Sequence, residues 1–172
     1  MLRLLRFALA GLLLAMLAGR ASADTAAPAC IFCEIVAGTR PAAIVYRDEL
    51  VVAFLDHAPR NPGHVLVVPA VHAVDLTSTP PATAAQMVVV AQRIAGAIQR
   101  TDLKAEGFNF LANAGAPAGQ KVFHTHLHIM PRFAGDAGMG AERAIVGPEV
   151  LDSVAAKIRA ALATEPGEAS AR

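Results

Sequence analysis

The amino-acid sequence predicts an α+β domain built on an antiparallel sheet. Three observations carry this. Short runs rich in valine, isoleucine and aromatic residues succeed one another across tight turns, helical periods between them are few, and one of those periods is long. Strands joined by tight turns pair antiparallel, whereas a doubly wound parallel sheet needs a crossover helix after nearly every strand.

Each element has a local cause. In Cys30 to Gly38, the apolar Ile31, Phe32, Ile35 and Val36 recur at helical spacing and Gly38 is a natural stop, which predicts a short helix. Ala43 to Tyr46 and Leu50 to Leu55 flank the turn-like Arg47-Asp48-Glu49 and predict a hairpin. Turn formers crowd positions 56–63, and His64 to Val68 is then a buried strand ended by Pro69. Thr79 offers an N-cap with Pro80 at the first helical position, and Met87, Val88, Ile94, Ala95 and Ile98 run down one side of a long helix to Arg100. Gly107 to Leu111 is predicted as a strand with alternating faces. Val122 to Met130 is predicted as another after a Gly/Ala/Pro turn, and Pro148 to Ala163 as an amphipathic helix before a polar tail.

Composition bounds the rest. The 172 residues are 55% hydrophobic, enough for one core, and no internal repeat is visible. Residues 1–23 differ from the remainder of the chain: they carry three arginines and no acid. Arg3 and Arg6 precede an apolar stretch from Phe7 to Gly19, and Ala21-Ser22-Ala23 supplies the small residues of a cleavage site, so a cleavable signal peptide is expected. The run falls short of the roughly 18 to 20 apolar residues that a bilayer-spanning helix needs, and Arg20 stands where a lipoprotein would carry its acylated cysteine. The expected product is soluble, exported to the periplasm or secreted, and without a stable membrane anchor after cleavage. It divides into a flexible lead (24–29), a domain (30–140), and a C-terminal helix with polar tail (141–172). Lys and Arg number 15 against 14 Asp and Glu; setting aside Arg3, Arg6 and Arg20 leaves 12 against 14. Such a body has no basic field to hold a phosphate backbone, which argues against a nucleic-acid polymer as partner.

The chemistry concentrates between Val122 and Met130. His124, His126 and His128 stand at i, i+2 and i+4, so in a strand they share one face, successive members roughly 6.6 Å apart, while Phe123, Thr125, Leu127 and Ile129 take the other. Neutral imidazole is a nucleophile toward phosphorus or carbonyl carbon, and its neighbours exchange protons near neutral pH without a carboxylate. The same spacing is compatible with shared metal ligation. Partly exposed structural histidines are the plain alternative, but half of the chain's six histidines fall here. The turn Asn113 to Lys121 is small enough to present backbone N–H groups to an anion. It is not a P-loop, because the spacing from Gly115 to Gly119-Gln120-Lys121 misses that pattern and a strand comes next. Cys30 and Cys33 leave open a disulfide, a redox pair or half of a tetrahedral zinc site; the missing βαβ context speaks against the redox pair.

Taken together, Cys30-Ile31-Phe32-Cys33, Phe54-Leu55-Asp56, Pro62-Gly63-His64 through Pro69, Asn113-x-Gly115, Gly119-Gln120 and His124-x-His126-x-His128-x-x-Pro131-Arg132 resemble, in order and spacing, the prokaryotic branch of the histidine-triad (HIT) family. The resemblance covers residues 30–140. It implies an antiparallel sheet of about five strands with one long and one or two shorter helices, and a homodimer with one continuous sheet. It also implies nucleotidyl hydrolase or transferase activity at the α-phosphate of nucleoside phosphoramidates or (di)nucleoside polyphosphates. Residue by residue, His126 would be the nucleophile, His128 and His64 would line and polarise the phosphate, and His124 would complete the triad. Gln120 and Asn113 would hydrogen-bond phosphate oxygens or the leaving group, Asp56 would accept the ribose hydroxyls, and Phe32, Ile35 and Leu55 would wall the base. Family members that hold zinc imply Cys30, Cys33, His72 and His124 as its ligands, which favours a structural zinc over a disulfide; no organic cofactor is expected. Rival readings are a zinc or copper carrier without catalysis and a nucleotide-binding module with a vestigial site. Three positions depart from the family pattern. Thr125 replaces an apolar residue, Lys121 a small hydroxyl residue and Ala70 a lysine; Lys121 suits extra phosphates. His57 is expected to be a partly exposed loop residue.

Overall fold

The computed structural model describes residues 30–140 and 142–164. The expected signal peptide (1–23), the lead (24–29) and the end of the polar tail lie outside the described residues. The elements are α1 (Ile31–Val36), β1 (Ile44–Arg47), β2 (Val51–Leu55), β3 (Val65–Pro69), α2 (Pro81–Gln99), β4 (Gly107–Ala112), β5 (Leu127–Arg132) and α3 (Pro148–Ala163), with short 3-10 turns at Ala116–Ala118 and Gly138–Gly140. The five strands form one sheet in the order β1-β2-β3-β5-β4, every neighbouring pair antiparallel. The predicted class therefore holds: five strands, one long helix and two shorter ones.

Strands β2 and β3 are buried at every position, because helices cover both faces of the sheet. The period of two splits their side chains between two cores. Val51, Ala53, Leu55, Val65 and Val67 face α2 and α3, where they join Ile94, Ile98, Ile129 and Ile158 in the larger core. Val52, Phe54, Leu66 and Val68 face α1, packing on Phe32 and Ile35 in the smaller one. Ile94, Ile98, Ile129 and Ile158 are fully excluded from solvent; truncating any of them to alanine would cost roughly 2–5 kcal/mol. The register places Ile44, Phe54, Leu66, His128 and Leu111 in one row across the sheet. That row faces α1, and the site is built over it.

Two local expectations are corrected. The strand expected from Val122 to Met130 begins only at Leu127, and residues 122–126 are irregular. The ladder pairs Val67 with Leu127, so its continuation would set Thr125 opposite Pro69, which has no N–H to donate. The chain instead leaves the sheet, the Thr125 N–H bonding to the Ala73 carbonyl at 2.7 Å. Likewise Thr79 does not cap α2: the helix starts at Pro81, with Pro80 at the cap and no side-chain hydrogen bond. The Thr79 hydroxyl is taken instead by the Asp75 carbonyl at 2.9 Å and by the Thr125 hydroxyl at 2.8 Å. That buried pair accounts for a threonine where an apolar residue was expected. No helix among the described residues is long and apolar enough to cross a membrane.

Candidate active site

A cavity of about 1070 Å³ lies over the α1 face of the sheet. Phe32 and Ile35 of α1 and Leu55 at the end of β2 form its apolar wall. Asp56, His64, His126, His128 and Asn113 line it as well. His64 reaches the site because Gly63 turns the chain at φ +82°; a Cβ there would stand 3.0 Å from Leu103 Cδ1 and 3.2 Å from Pro131 Cγ. From that turn His64 falls two residues before Leu66, on the same face, beside the row that holds His128.

The hydrogen bonds fix which ring nitrogens carry protons. The Arg60 backbone N–H donates to His64 Nδ1 at 3.2 Å, so that nitrogen is an acceptor. His64 Nε2 must then carry the hydrogen and donate to His128 Nδ1 at 2.9 Å. His128 Nε2 is left as a donor. His126 Nδ1 lies 2.7 Å from the His124 carbonyl oxygen, which only accepts, so His126 Nε2 keeps a bare lone pair. Burial holds His64 and His128 at a pKa of about 3, with nearby cationic groups and the neighbouring histidines adding to the effect. Burial also lowers His126, against the opposing pull of its hydrogen bond to His124. All three are neutral at physiological pH. Phe32 stands edge-on to His126 at 5.3 Å between ring centroids and limits its rotation.

His124 parts from the other two. Its ring lines no part of the cavity and turns toward Cys30, Cys33 and His72, whose donor atoms all lie within 4.8 Å of one another. His124 Nδ1 is 3.4 Å from Cys30 Sγ and 3.5 Å from Cys33 Sγ, and His72 Nδ1 is 3.3 Å from Cys33 Sγ. Ligands about 2.3 Å (sulfur) and about 2.05 Å (nitrogen) from a tetrahedral zinc stand about 3.5 Å apart, so these side chains fit the ion. His124 Nε2 donates to the Pro69 carbonyl at 3.0 Å, which orients the ring and leaves Nδ1 as the ligand atom. Both cysteines are free. Burial and the neighbouring Cys30 push the Cys33 thiol up to about 11, so a cation is what would make it a thiolate ligand. The same histidine thus offers its ring to the metal set and its carbonyl to His126.

Gln120 is buried with its amide engaged by the loop: Oε1 accepts from Gly115 N at 2.8 Å, and Nε2 donates to the Val74 and Val122 carbonyls at 2.6 and 3.0 Å. It does not line the cavity; Asn113, Gly119 and Lys121 of the loop it braces do. Asp56, 3% exposed, accepts from Ala58 N at 2.9 Å and from Arg143 Nη2 at 2.6 Å. Arg143 and Arg60 are cavity residues that sequence reasoning missed, since neither stands in a motif and Arg143 lies 87 positions from its partner. His57 is exposed at the rim, as expected of a loop residue.

Residues 37–135 match the HIT domain family. An uncharacterized HIT-like protein of Mycobacterium tuberculosis is 48% identical over 107 residues, which are 62% of this chain and 74% of that protein. The adenylylsulfatase HINT3 of Arabidopsis thaliana is 39% identical over 114 residues, 66% of this chain and 57% of that protein. Among solved structures, a zinc-bound histidine triad family protein of Mycobacterium smegmatis is 44% identical with a TM-score of 0.71, covering 78% of this chain and 94% of that one.

Proposed function

From the premise that this chain belongs to the HIT domain family, we propose that it is a nucleotide hydrolase or transferase acting at the α-phosphate of nucleoside phosphoramidates or (di)nucleoside polyphosphates, with His126 as nucleophile. One observation carries the reading: the Nδ1 of His126 is committed to the His124 carbonyl, so a neutral, unprotonated Nε2 remains on a ring that lines a nucleotide-sized cavity.

The mechanism follows from the tautomers. A phosphodiester anion repels nucleophiles, so passing through a covalent intermediate splits a hard displacement into two easier ones. His126 Nε2 forms a bond to phosphorus while the bond to the leaving nitrogen or oxygen breaks, and the leaving group takes its proton from solvent. Water then bonds to phosphorus as the Nε2–phosphorus bond breaks, its spare proton passing to solvent, and His126 returns to its neutral state. The Arg60–His64–His128 chain presents the His128 Nε2–H to the phosphate oxygens, where a fixed donor stabilises charge developing in the transition state. Asn113 and Lys121 supply further donors, Gln120 holds the loop that presents them, Phe32, Ile35 and Leu55 receive the base, and Asp56 faces the ribose. Zinc at Cys30, Cys33, His72 and His124 would fix the start of α1 and the ring of His124, and with it the carbonyl that orients His126. It would play a structural part, consistent with the zinc-bound relative. With the leader read as an export signal, the substrates are nucleotides outside the cytoplasm.

A single metal site across the whole histidine face does not form, because the donors divide: His124 joins the cysteines, while His64 and His128 cluster with Asp56 and hydrogen-bond to each other. The test is a panel of adenosine phosphoramidate and dinucleoside polyphosphates assayed with the wild type and His126→Ala. The variant should lose about a thousandfold or more in kcat. Turnover near the wild-type rate would remove His126 from the mechanism.

A further inference from the structure

Arg143 comes from beyond the family-matched residues 37–135 and sits on the residue that the proposed function assigns to the ribose. Its Nη2 donates to Asp56 Oδ2 at 2.6 Å and its Nε to the Ala58 carbonyl at 2.7 Å. The same segment is stapled to the site loop by Val146 N donating to the His57 carbonyl at 2.9 Å. Two of the guanidinium's three nitrogens are thus fixed by the protein. The third, Nη1, has no hydrogen-bond partner among the described residues, and the side chain, 41% exposed, lines the cavity.

A carboxylate alone suits the two donated hydrogens of a ribose diol. A carboxylate already bound by a guanidinium is a weaker acceptor, and the fork beside it adds donors aimed at an oxyanion. The chemistry therefore changes from a site for two hydroxyls to a site for one hydroxyl and one anion. Dinucleotide-binding folds draw the same distinction, placing an acid at a ribose hydroxyl in some members and an arginine at a ribose phosphate in others. The charge balance agrees. Arg40, Arg60, Lys121 and Arg143 line the cavity against Asp56 and Asp152, Arg40 being paired with Glu34 at 2.6 Å, and the net positive charge that remains favours an anionic ligand.

We propose that Asp56 and Arg143 form a ribose subsite that selects nucleotides carrying a phosphate ester on the 2′- or 3′-oxygen, with Arg143 as the specificity-determining residue. The proposal rests on the reading of the cavity as a nucleotide site with Asp56 at the ribose. It makes the C-terminal segment, and not the histidines, the part of the chain that chooses among nucleotides.

The experiment is calorimetric titration of the purified protein with adenosine 5′-monophosphate, adenosine 3′,5′-bisphosphate and adenosine 2′,5′-bisphosphate, repeated on Arg143→Met and Arg143→Lys. One of the two bisphosphates should bind the wild type about tenfold more tightly than the monophosphate, the scale of a half-exposed charge-assisted contact. That ratio should fall toward one in Arg143→Met and return in part in Arg143→Lys, which keeps the charge but not the fork. Three outcomes overturn the proposal: no selectivity in the wild type, selectivity untouched in Arg143→Met, or a gain in monophosphate affinity in Arg143→Met with bisphosphate affinity unchanged. The last would make Arg143 a cover over Asp56. Turnover of adenosine phosphoramidate by the wild type, measured alongside, separates the two readings: turnover without selectivity sinks only the subsite, and selectivity without turnover sinks only the nucleotidyl transfer.

Discussion

His64 and His128 hold their pKa near 3 because water is excluded from both rings, and the cost of that exclusion shows in acid. In the unfolded chain each takes a proton near pH 6.5, while the folded pair takes none until about pH 3. Over that interval the unfolded state binds more protons, so stability is complete above about pH 6.5 and falls below it, by about 1.4 kcal/mol per pH unit for each group. The depressed carboxylates Asp48, Asp75, Asp102 and Asp136 act lower, below about pH 4. Urea midpoints of chelator-treated protein should therefore decline steadily from about pH 6.5 to about 4.5, and a flat profile there would show that these rings are not buried as neutral groups. At this scale the sequence spoke clearly for His126 and His128, which both line the cavity although only His128 lies within β5. Period alone misplaced His124, whose ring belongs with two cysteines more than 90 positions away, and only the family resemblance pointed it there. The resemblance put Gln120 on the phosphate or leaving group, whereas its amide is engaged by backbone, and no local pattern ties Arg143 to Asp56.

Among the elements, α1 depends most on others. Six residues are too few to hold a helix in water, and Cys30 caps it weakly through its own sulfur, 3.4 Å from Cys33 N. What fastens α1 is packing on Phe54 and Leu66 together with the donor cluster that joins its first turn to His72 and His124. Purified protein should carry about one zinc per chain. Cys33→Ser should lower that toward zero, drop the thermal midpoint by about 5 °C or more, and raise KM more than it lowers kcat, because Phe32 and Ile35 wall the cavity. A protein free of zinc with no titratable thiol would reveal a disulfide instead. Strands β2 and β3 were legible because their valine runs need cover on both faces. The late start of β5 was not, because it is decided by Pro69 on the neighbouring strand, a partner that periodicity within one segment does not identify.

At the scale of the whole molecule the sheet has two edges of different character. On β1, the Arg159 guanidinium covers the Ile44 carbonyl at 2.6 Å. On β4, Phe110 stands half-exposed beside an outer edge with no strand neighbour among the described residues. Such an edge invites pairing, and we propose that two copies join there into one continuous sheet, as the family resemblance implies. Sedimentation should give a dimer for the wild type and a monomer for Asn109→Pro or Phe110→Asp; a monomeric wild type at micromolar concentration would refute the pairing. The strand count and the antiparallel class were written in hydrophobic period and turn chemistry, and the histidine face only in part, since His124 turns away from it. The meeting of the C-terminal segment with the cavity was not, because it depends on the closed fold. Covalent catalysis by His126 is tested most directly by mass spectrometry of the intact protein, quenched under alkaline conditions during turnover of adenosine phosphoramidate. One adenylyl group is expected on His126 and none in His126→Ala. An adduct on another side chain, or turnover with no adduct at all, would contradict that role.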